Sequence, residues 1–312
     1  MSTTQTEPAG PSAEVRAHAR RQHQPGVGAG ERALSLLNGG FLLLWGLITT
    51  LPLVWAIVSS FKTNGEFRTD PMGLPGGLEW DNFARAWNAA NIGQYFTNSV
   101  IVVAMSLTMT MLFGAMGAYV LARYDFPGNR FIYYLFLGGL VLPVFLALVP
   151  MFFVVRNLGS LPVVGQFLGL NSYFSLALVY VAFSLPFTVF FLTAFFRTLP
   201  NSVAEAGIMD GCSHFSLFFR VMLPMARPGM ISLALFNFLG HWNQYVLPLV
   251  IMQEGDKRVL AQGLGTLAAN TGFRADYTAL FAGLVIALLP VLIVYIIFQK
   301  QVQAGLTAGV LK

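Results

Sequence analysis

Charged residues are scarce in this chain, since only 10% of its 312 residues are Asp, Glu, Lys or Arg. A soluble domain carries roughly 25% of such residues. Hydrophobic residues make up 56% of the chain, and the mean hydropathy is +0.66. This composition excludes an ordinary soluble domain and favours an integral membrane protein.

Several chemical groups are also missing. Cys212 is the single cysteine, so an intrachain disulfide and a cysteine metal site are both excluded. The sequence has no G-x-x-x-x-G-K-[ST] phosphate loop, which excludes ATP hydrolysis of that form by this chain. It shows no metal-spaced histidine cluster and no nucleophile triad. We therefore expect no catalytic site, no metal and no cofactor.

What the sequence does have is a set of long apolar runs. Six of them approach or exceed the roughly 20 residues that cross a bilayer: 36–61, 99–122, 131–155, 173–196, 229–252 and 278–298. No Lys, Arg, Asp or Glu lies within them, as expected where a charge at mid-bilayer costs about 2.5–3.5 kcal/mol. The first run starts too late and is too long for a cleaved signal peptide. The sequence predicts an all-α membrane protein with six transmembrane helices.

Residues 1–30 lack apolar periodicity and predict a disordered cytoplasmic tail, followed by a six-span domain over 31–312. An even number of spans places both termini on one side. Eleven Lys and Arg residues fall on that side and seven on the other, which favours cytoplasmic termini. The net charge of +5 then indicates topology and contact with anionic lipid headgroups, and no nucleic acid partner.

The segment 199–228 is a polar island between the fourth and fifth runs, on the predicted inner side. Asn201 or Ser202 is a suitable N-cap, and Ser202 with Glu205 matches the S-x-x-E capping box. Gly211 suits the end of this first helix. A second short helix is predicted from Ser213, its N-cap, through 214–222, closing at Leu223-Pro224.

Two interpretations of this island are open from local physics. It is either a capped surface helix that links two spans, or a docking element. Ala206 and Gly207 have almost no side chain, so a partner surface can approach closely, and Glu205 and Asp210 flank this patch with negative charge.

The run Glu205-Ala206-Gly207, then Asp210-Gly211, then Leu223-Pro224 resembles the EAA loop of ABC importer permeases. Gly207 departs from the family pattern, which has a second alanine there, and weakens the helix by up to about 1 kcal/mol. The chain after its tail is similar to the inner-membrane permeases of carbohydrate importers of the maltose type. Further matching segments are 59–62, 95–99, 117–124, 183–187, 242–243 and 305–309.

This resemblance implies a permease subunit that forms half of a translocation pathway in the bacterial plasma membrane. It implies a second homologous permease, cytoplasmic ATP-binding subunits, an extracytoplasmic solute-binding protein and a sugar substrate. The loop helix would sit in a cleft of the ATPase, so that closure driven by ATP moves the spans. The residues that would couple to the ATPase are Glu205, Ala206, Gly207, Asp210, Gly211, Leu223 and Pro224.

The fifth run is unusually polar. Asn237, His241 and Gln244 recur at helical spacing on one face together with Pro248, and Asn243 lies off that stripe. Neutral hydrogen-bonding groups suit sugar hydroxyls, so these four polar residues are predicted to face the pathway. Hydrogen bonding between helices is the competing interpretation.

Three other functions compete with sugar import. The first is a permease for another solute, such as glycerol phosphate or a polyamine. An anionic solute is disfavoured because the spans hold no basic residue that could bind it. A secondary carrier or channel is disfavoured because the spans of this chain hold no carboxylate that could carry protons. A membrane enzyme is disfavoured because the sequence shows no cluster of catalytic residues. Overall similarity points to a chitin-derived sugar such as N-acetylglucosamine or its dimer, although no residue pattern specifies the sugar.

Overall fold

The computed structural model describes residues 29–269 and 276–308, and these ranges contain helices and turns but no strand. The chain divides into two units, residues 1–55 and 56–312, with the boundary inside the first helix. The helices are α1 Ala29–Ser59, α2 Asn64–Thr69, α3 Asp81–Asn88, α4 Ile92–Arg123, α5 Asn129–Val141, α6 Val144–Gly159, α7 Gly165–Leu168, α8 Tyr173–Thr198, α9 Asn201–Met209, α10 His214–Leu217, α11 Leu223–Met225, α12 Arg227–Trp242, α13 Val246–Ile251, α14 Leu260–Ala269 and α15 Tyr277–Ala308. Residues 1–28 of the predicted tail lie outside the described ranges, whereas Ala29 and Gly30 are helical.

Four helices are long and apolar enough to cross a membrane, and the number rises to six if two bent pairs, α5 with α6 and His214–Met225 with α12, each count as one span. The four are Leu34–Ser59 within α1, α4, α8 and Tyr277–Gln301 within α15. In the first unit, Leu36 and Leu37 are 77% and 70% exposed, as a lipid-facing helix requires. The predicted all-helical membrane fold is confirmed, and the count of six spans stays a prediction.

The third apolar run is broken in the middle. α5 and α6 meet at 106° around Leu142 and Pro143, where a continuous span was predicted. Leu142 is extended, with ψ of 118°, because a residue that precedes proline is disfavoured in the helical region. Pro143 also lacks the N–H that would continue the helix.

The fifth run is broken as well. α12 ends at Trp242 and α13 begins at Val246, so the predicted stripe does not continue to Gln244 and Pro248 on one helix. The Asn243 side chain donates to the Leu239 carbonyl at 3.0 Å, in addition to the helical hydrogen bond that its own backbone N–H makes to the same carbonyl at 3.2 Å. Pro248 further removes the donor that the carbonyl of residue 244 would need.

The second unit is built on the packing of α4 against α8. Ala118 is fully buried, and a side chain at Gly114 would overlap the methyl group of Thr188 on α8. These small residues let the two helices approach closely.

Candidate functional site

The first helix of the loop 199–228 is α9, and it begins two residues earlier than the predicted capping box requires. Pro200 occupies the N-cap without a side-chain hydrogen bond, so Ser202 lies inside the first turn. Arg123, at the end of α4, donates to the Asn201 side chain and to the Leu199 carbonyl. The capping box is therefore wrong, because Pro200 is the N-cap, and the Asn201 side-chain oxygen accepts from Arg123 and does not cap the helix.

The end of α9 follows the prediction at Gly211, whose φ is +81°. The Cys212 N–H bonds to the Gly207 carbonyl at 3.0 Å, and the Gly211 N–H bonds to the Ile208 carbonyl at 3.0 Å. This pair of bonds is the Schellman motif, in which a glycine takes the left-handed conformation at little cost.

Ser213 caps the second helix as predicted, since its hydroxyl accepts from the Ser216 N–H at 3.3 Å. The helix does not close at Leu223-Pro224. It widens into a π turn over Phe218–Met222 and continues through α11 to Met225. Pro224 cannot donate to the carbonyl four residues earlier, and the Leu223 N–H bonds to the Phe218 carbonyl, five residues back.

The loop surface differs from the predicted smooth patch. Gly207 is buried, and a Cβ there would lie 2.7 Å from Leu217 Cδ1, so this glycine lets the two loop helices pack together. Glu205, Ala206 and Asp210 are exposed. Three apolar side chains that sequence reasoning passed over are exposed beside them: Ile208 (54%), Met209 (89%) and Phe215 (72%). The sequence feature that could have identified them is the presence of apolar residues in an otherwise polar segment.

The loop is packed firmly against the ends of two spans. Leu217, Phe218 and Met222 are buried in one cluster with Tyr119 of α4 and Phe196 of α8. At its edge, Tyr124 Oη and His214 Nδ1 are 2.9 Å apart. The loop is therefore in direct contact with the ends of α4 and α8.

His241 joins three helices inside the bundle. Its Nδ1 is 2.9 Å from Ser106 Oγ on α4, and its Nε2 is 2.8 Å from Ser184 Oγ on α8. Only 6% of the residue is exposed. A neutral imidazole donates from one nitrogen and accepts at the other, so it can satisfy both hydroxyls at once.

Asn237 lies one turn earlier and is 5% exposed. Its amide donates to Thr188 Oγ1 at 3.1 Å. Asn237 and His241 therefore make the helix-to-helix hydrogen bonds of the competing interpretation. Asn243 and Tyr245, in contrast, are exposed in the break after α12, and Gln244 between them is half-buried.

A polar cluster holds the other end of the second unit. Arg85 Nε is 3.1 Å from Asp276 Oδ2, and the Asn64 side chain donates to Asp276 Oδ1 at 2.8 Å. Burial alone raises the pKa of the Asp276 carboxyl, but the hydrogen bonds from Arg85 and Asn64 outweigh it and hold this pKa below its ordinary value. The cluster fastens α2 and α3 to the start of α15.

The helices, the packed loop and the broken fifth run are consistent with a transport subunit. The family model of the binding-protein-dependent transport system inner membrane component matches residues 110–307. The chain belongs to this family. The permease is thus a multi-pass inner-membrane protein that works with an ATPase and a solute-binding protein, and the carrier, channel and enzyme alternatives are excluded.

Relatives of this permease match it over most of its length. The diacetylchitobiose uptake system permease protein NgcG of Streptomyces coelicolor is 48% identical over 279 residues, which is 89% of each chain. The probable ABC transporter permease protein YurM of Bacillus subtilis is 32% identical and covers 87% of each chain. A chain in the crystal structure of a bacterial ABC transporter that imports alginate, an acidic polysaccharide, is 19% identical with a TM-score of 0.75. That similarity covers 89% of this permease and 99% of the other chain, and it shows the shared fold.

Proposed function

We propose that this permease imports a short N-acetylated sugar of the diacetylchitobiose type, powered by ATP hydrolysis in its partner subunits. The observation that carries the proposal is the 48% identity to a diacetylchitobiose permease over 89% of each chain. A neutral substrate agrees with spans that contain no Lys, Arg, Asp or Glu.

The proposed topology has six crossings and both termini in the cytoplasm. α5 with α6 forms the third crossing, and α12 with α13 forms the fifth. The loop 199–228, which contains Arg220 and Arg227, then lies on the cytoplasmic side together with Arg123 and Arg197, as the positive-inside tendency favours.

In this orientation the loop is the coupling element. Glu205, Ala206 and Asp210 contact the ATPase together with the exposed Ile208 and Met209. The remaining coupling residues shape the loop from within: Gly207, Gly211, Leu223 and Pro224. The second permease completes the pathway, because rigid-body gating of two halves around a midplane site is the usual design.

The break over residues 243–245 is the proposed sugar contact. Irregular backbone at membrane depth is tolerated where it lines a water-filled cavity or is buried in protein. Asn243 and Gln244 offer neutral hydrogen-bonding groups there, beside the exposed ring of Tyr245. Asn237 and His241 hold the helix before the break in position.

Uptake of labelled diacetylchitobiose tests this function. A strain that lacks the permease gene should lose uptake and regain it with the intact gene. Excess unlabelled diacetylchitobiose should compete strongly, whereas arabino-oligosaccharides should not. Equal competition by both sugars, or unchanged uptake in the deletion strain, would refute the assignment.

A further inference from the structure

A cavity of about 470 Å³ lies where three apolar helices end beside the coupling loop. Its lining includes Arg130 and Asn129 at the start of α5, Arg197 at the end of α8, and Asp125, Phe126 and Phe131. Neither the proposed sugar pathway nor the loop surface uses it.

The two guanidinium groups of this cavity are available to a ligand. Within residues 29–269 and 276–308, the side chains of Arg130 and Arg197 make no ion pair and no hydrogen bond with another residue. The Arg197 guanidinium lies over the Tyr133 ring at 5.5 Å from its centroid, which fixes its position without neutralising its charge. Asp125 contributes one carboxylate, so the lining retains a net positive charge.

Polar and apolar surfaces meet at this cavity. Phe131 is 71% exposed, and Tyr134 and Leu135 continue the exposed apolar face along α5 at 63% and 66%. Basic side chains at the boundary of an apolar helix face match an amphiphile with an anionic head and hydrocarbon tails.

We propose that the cavity binds the headgroup of an anionic phospholipid, with Arg130 and Arg197 holding the phosphate and the acyl chains lying along α5. The continuous apolar face favours a lipid over a free anion or an acidic protein segment. The proposed orientation places the site in the inner leaflet, but binding itself does not depend on the transported solute. Arg197 lies two residues before the start of the loop 199–228, so an occupied site stabilises the base of that loop.

The test uses the whole transporter, purified with its partner subunits and stripped of lipid. Dioctanoyl phosphatidylglycerol, dioctanoyl phosphatidylcholine and inorganic phosphate are added separately, and binding is followed by native mass spectrometry and thermal unfolding. Phosphatidylglycerol should bind most tightly. Removing one arginine, in R130Q or R197Q, should weaken phosphatidylglycerol binding about fivefold, because each basic residue contributes about 1 kcal/mol to the binding free energy.

Two further variants separate the site from general effects. D125N removes the opposing carboxylate and should strengthen phosphatidylglycerol binding, a gain that a misfolded protein cannot produce. R156Q is the matched control, because Arg156 is likewise an exposed arginine in the last turn of an apolar helix, α6. Its neighbour Val155 is buried in a cluster with Leu176 near the start of α8, whereas Arg197 lies near the end of α8. It should bind like the unaltered protein.

The proposal fails if phosphatidylcholine binds as well as phosphatidylglycerol, or if R130Q, R197Q and R156Q behave alike. An equal response to inorganic phosphate would identify a free-anion site instead. Loss of the ATPase from R197Q with unchanged lipid binding would identify a protein contact. Sugar uptake is a separate readout, so these outcomes do not bear on the proposed function.

Discussion

The loop 199–228 and the fifth apolar run are the two polar stretches within the apolar part of this permease, and they treat their polar residues in opposite ways. The loop exposes Glu205 and Asp210 and buries an apolar underside through Leu217. The fifth run buries Asn237 and His241 in hydrogen bonds to neighbouring helices. Polarity in a sequence thus marks an exposed surface in one place and internal packing in the other.

The largest expected effect comes from the exposed tip of the loop. Met209→Asp places a charge on a side chain that is 89% exposed, so the fold should be preserved while ATPase docking is lost. An interface residue of this kind contributes about 2 kcal/mol or more, so ATPase recovery on co-purification and sugar uptake should fall by more than about tenfold.

Leu74→Asp is the matched control, because Leu74 is 85% exposed between α2 and α3, outside the loop 199–228. It should leave ATPase recovery unchanged. If Met209→Asp also co-purified the ATPase normally and supported uptake, the loop would have no role as a partner surface.

His241→Leu should act on stability. It removes the ring that bridges Ser106 and Ser184, at a cost of about 1–3 kcal/mol for two hydrogen bonds inside a membrane protein. Thermal unfolding of the purified transporter should occur at a lower temperature. A higher KM for sugar with no change in Tm would instead place His241 in the pathway and remove the contrast between the two stretches.

Asn243→Ala should show the reverse pattern. Asn243 is exposed in the break, so Tm should stay constant. Loss of one hydrogen bond to the substrate, about 1 kcal/mol, should raise KM roughly fivefold. An unchanged KM would remove the break from the sugar site.

The smallest effect is expected for Asn237→Leu. Its partner Thr188 also donates to the Ser184 carbonyl at 2.8 Å, so the hydroxyl keeps a hydrogen bond after the substitution. We expect a stability loss below about 1 kcal/mol in thermal unfolding. A loss as large as that of His241→Leu would show that the two residues act as one unit.

The helix caps of the loop 199–228 show how much of the local structure the neighbouring residues predict. The conformation at Gly211 and the cap at Ser213 follow from neighbouring residues alone, and both are confirmed. The Ser202 capping box is wrong, because the helix begins at Asn201, whose side chain accepts from Arg123, 78 positions away. A motif of four residues carries no information about such a distant contact.

The sequence by itself determined the membrane class, the apolar helices and the family, because the cost of burying charge in lipid and the order of the motifs are both written in the linear chain. The tertiary structure decided which polar residues are satisfied internally and that Gly207 accommodates Leu217. Those outcomes depend on which side chains from distant helices meet, since hydrogen bonding and close packing are settled between helices and not along one of them.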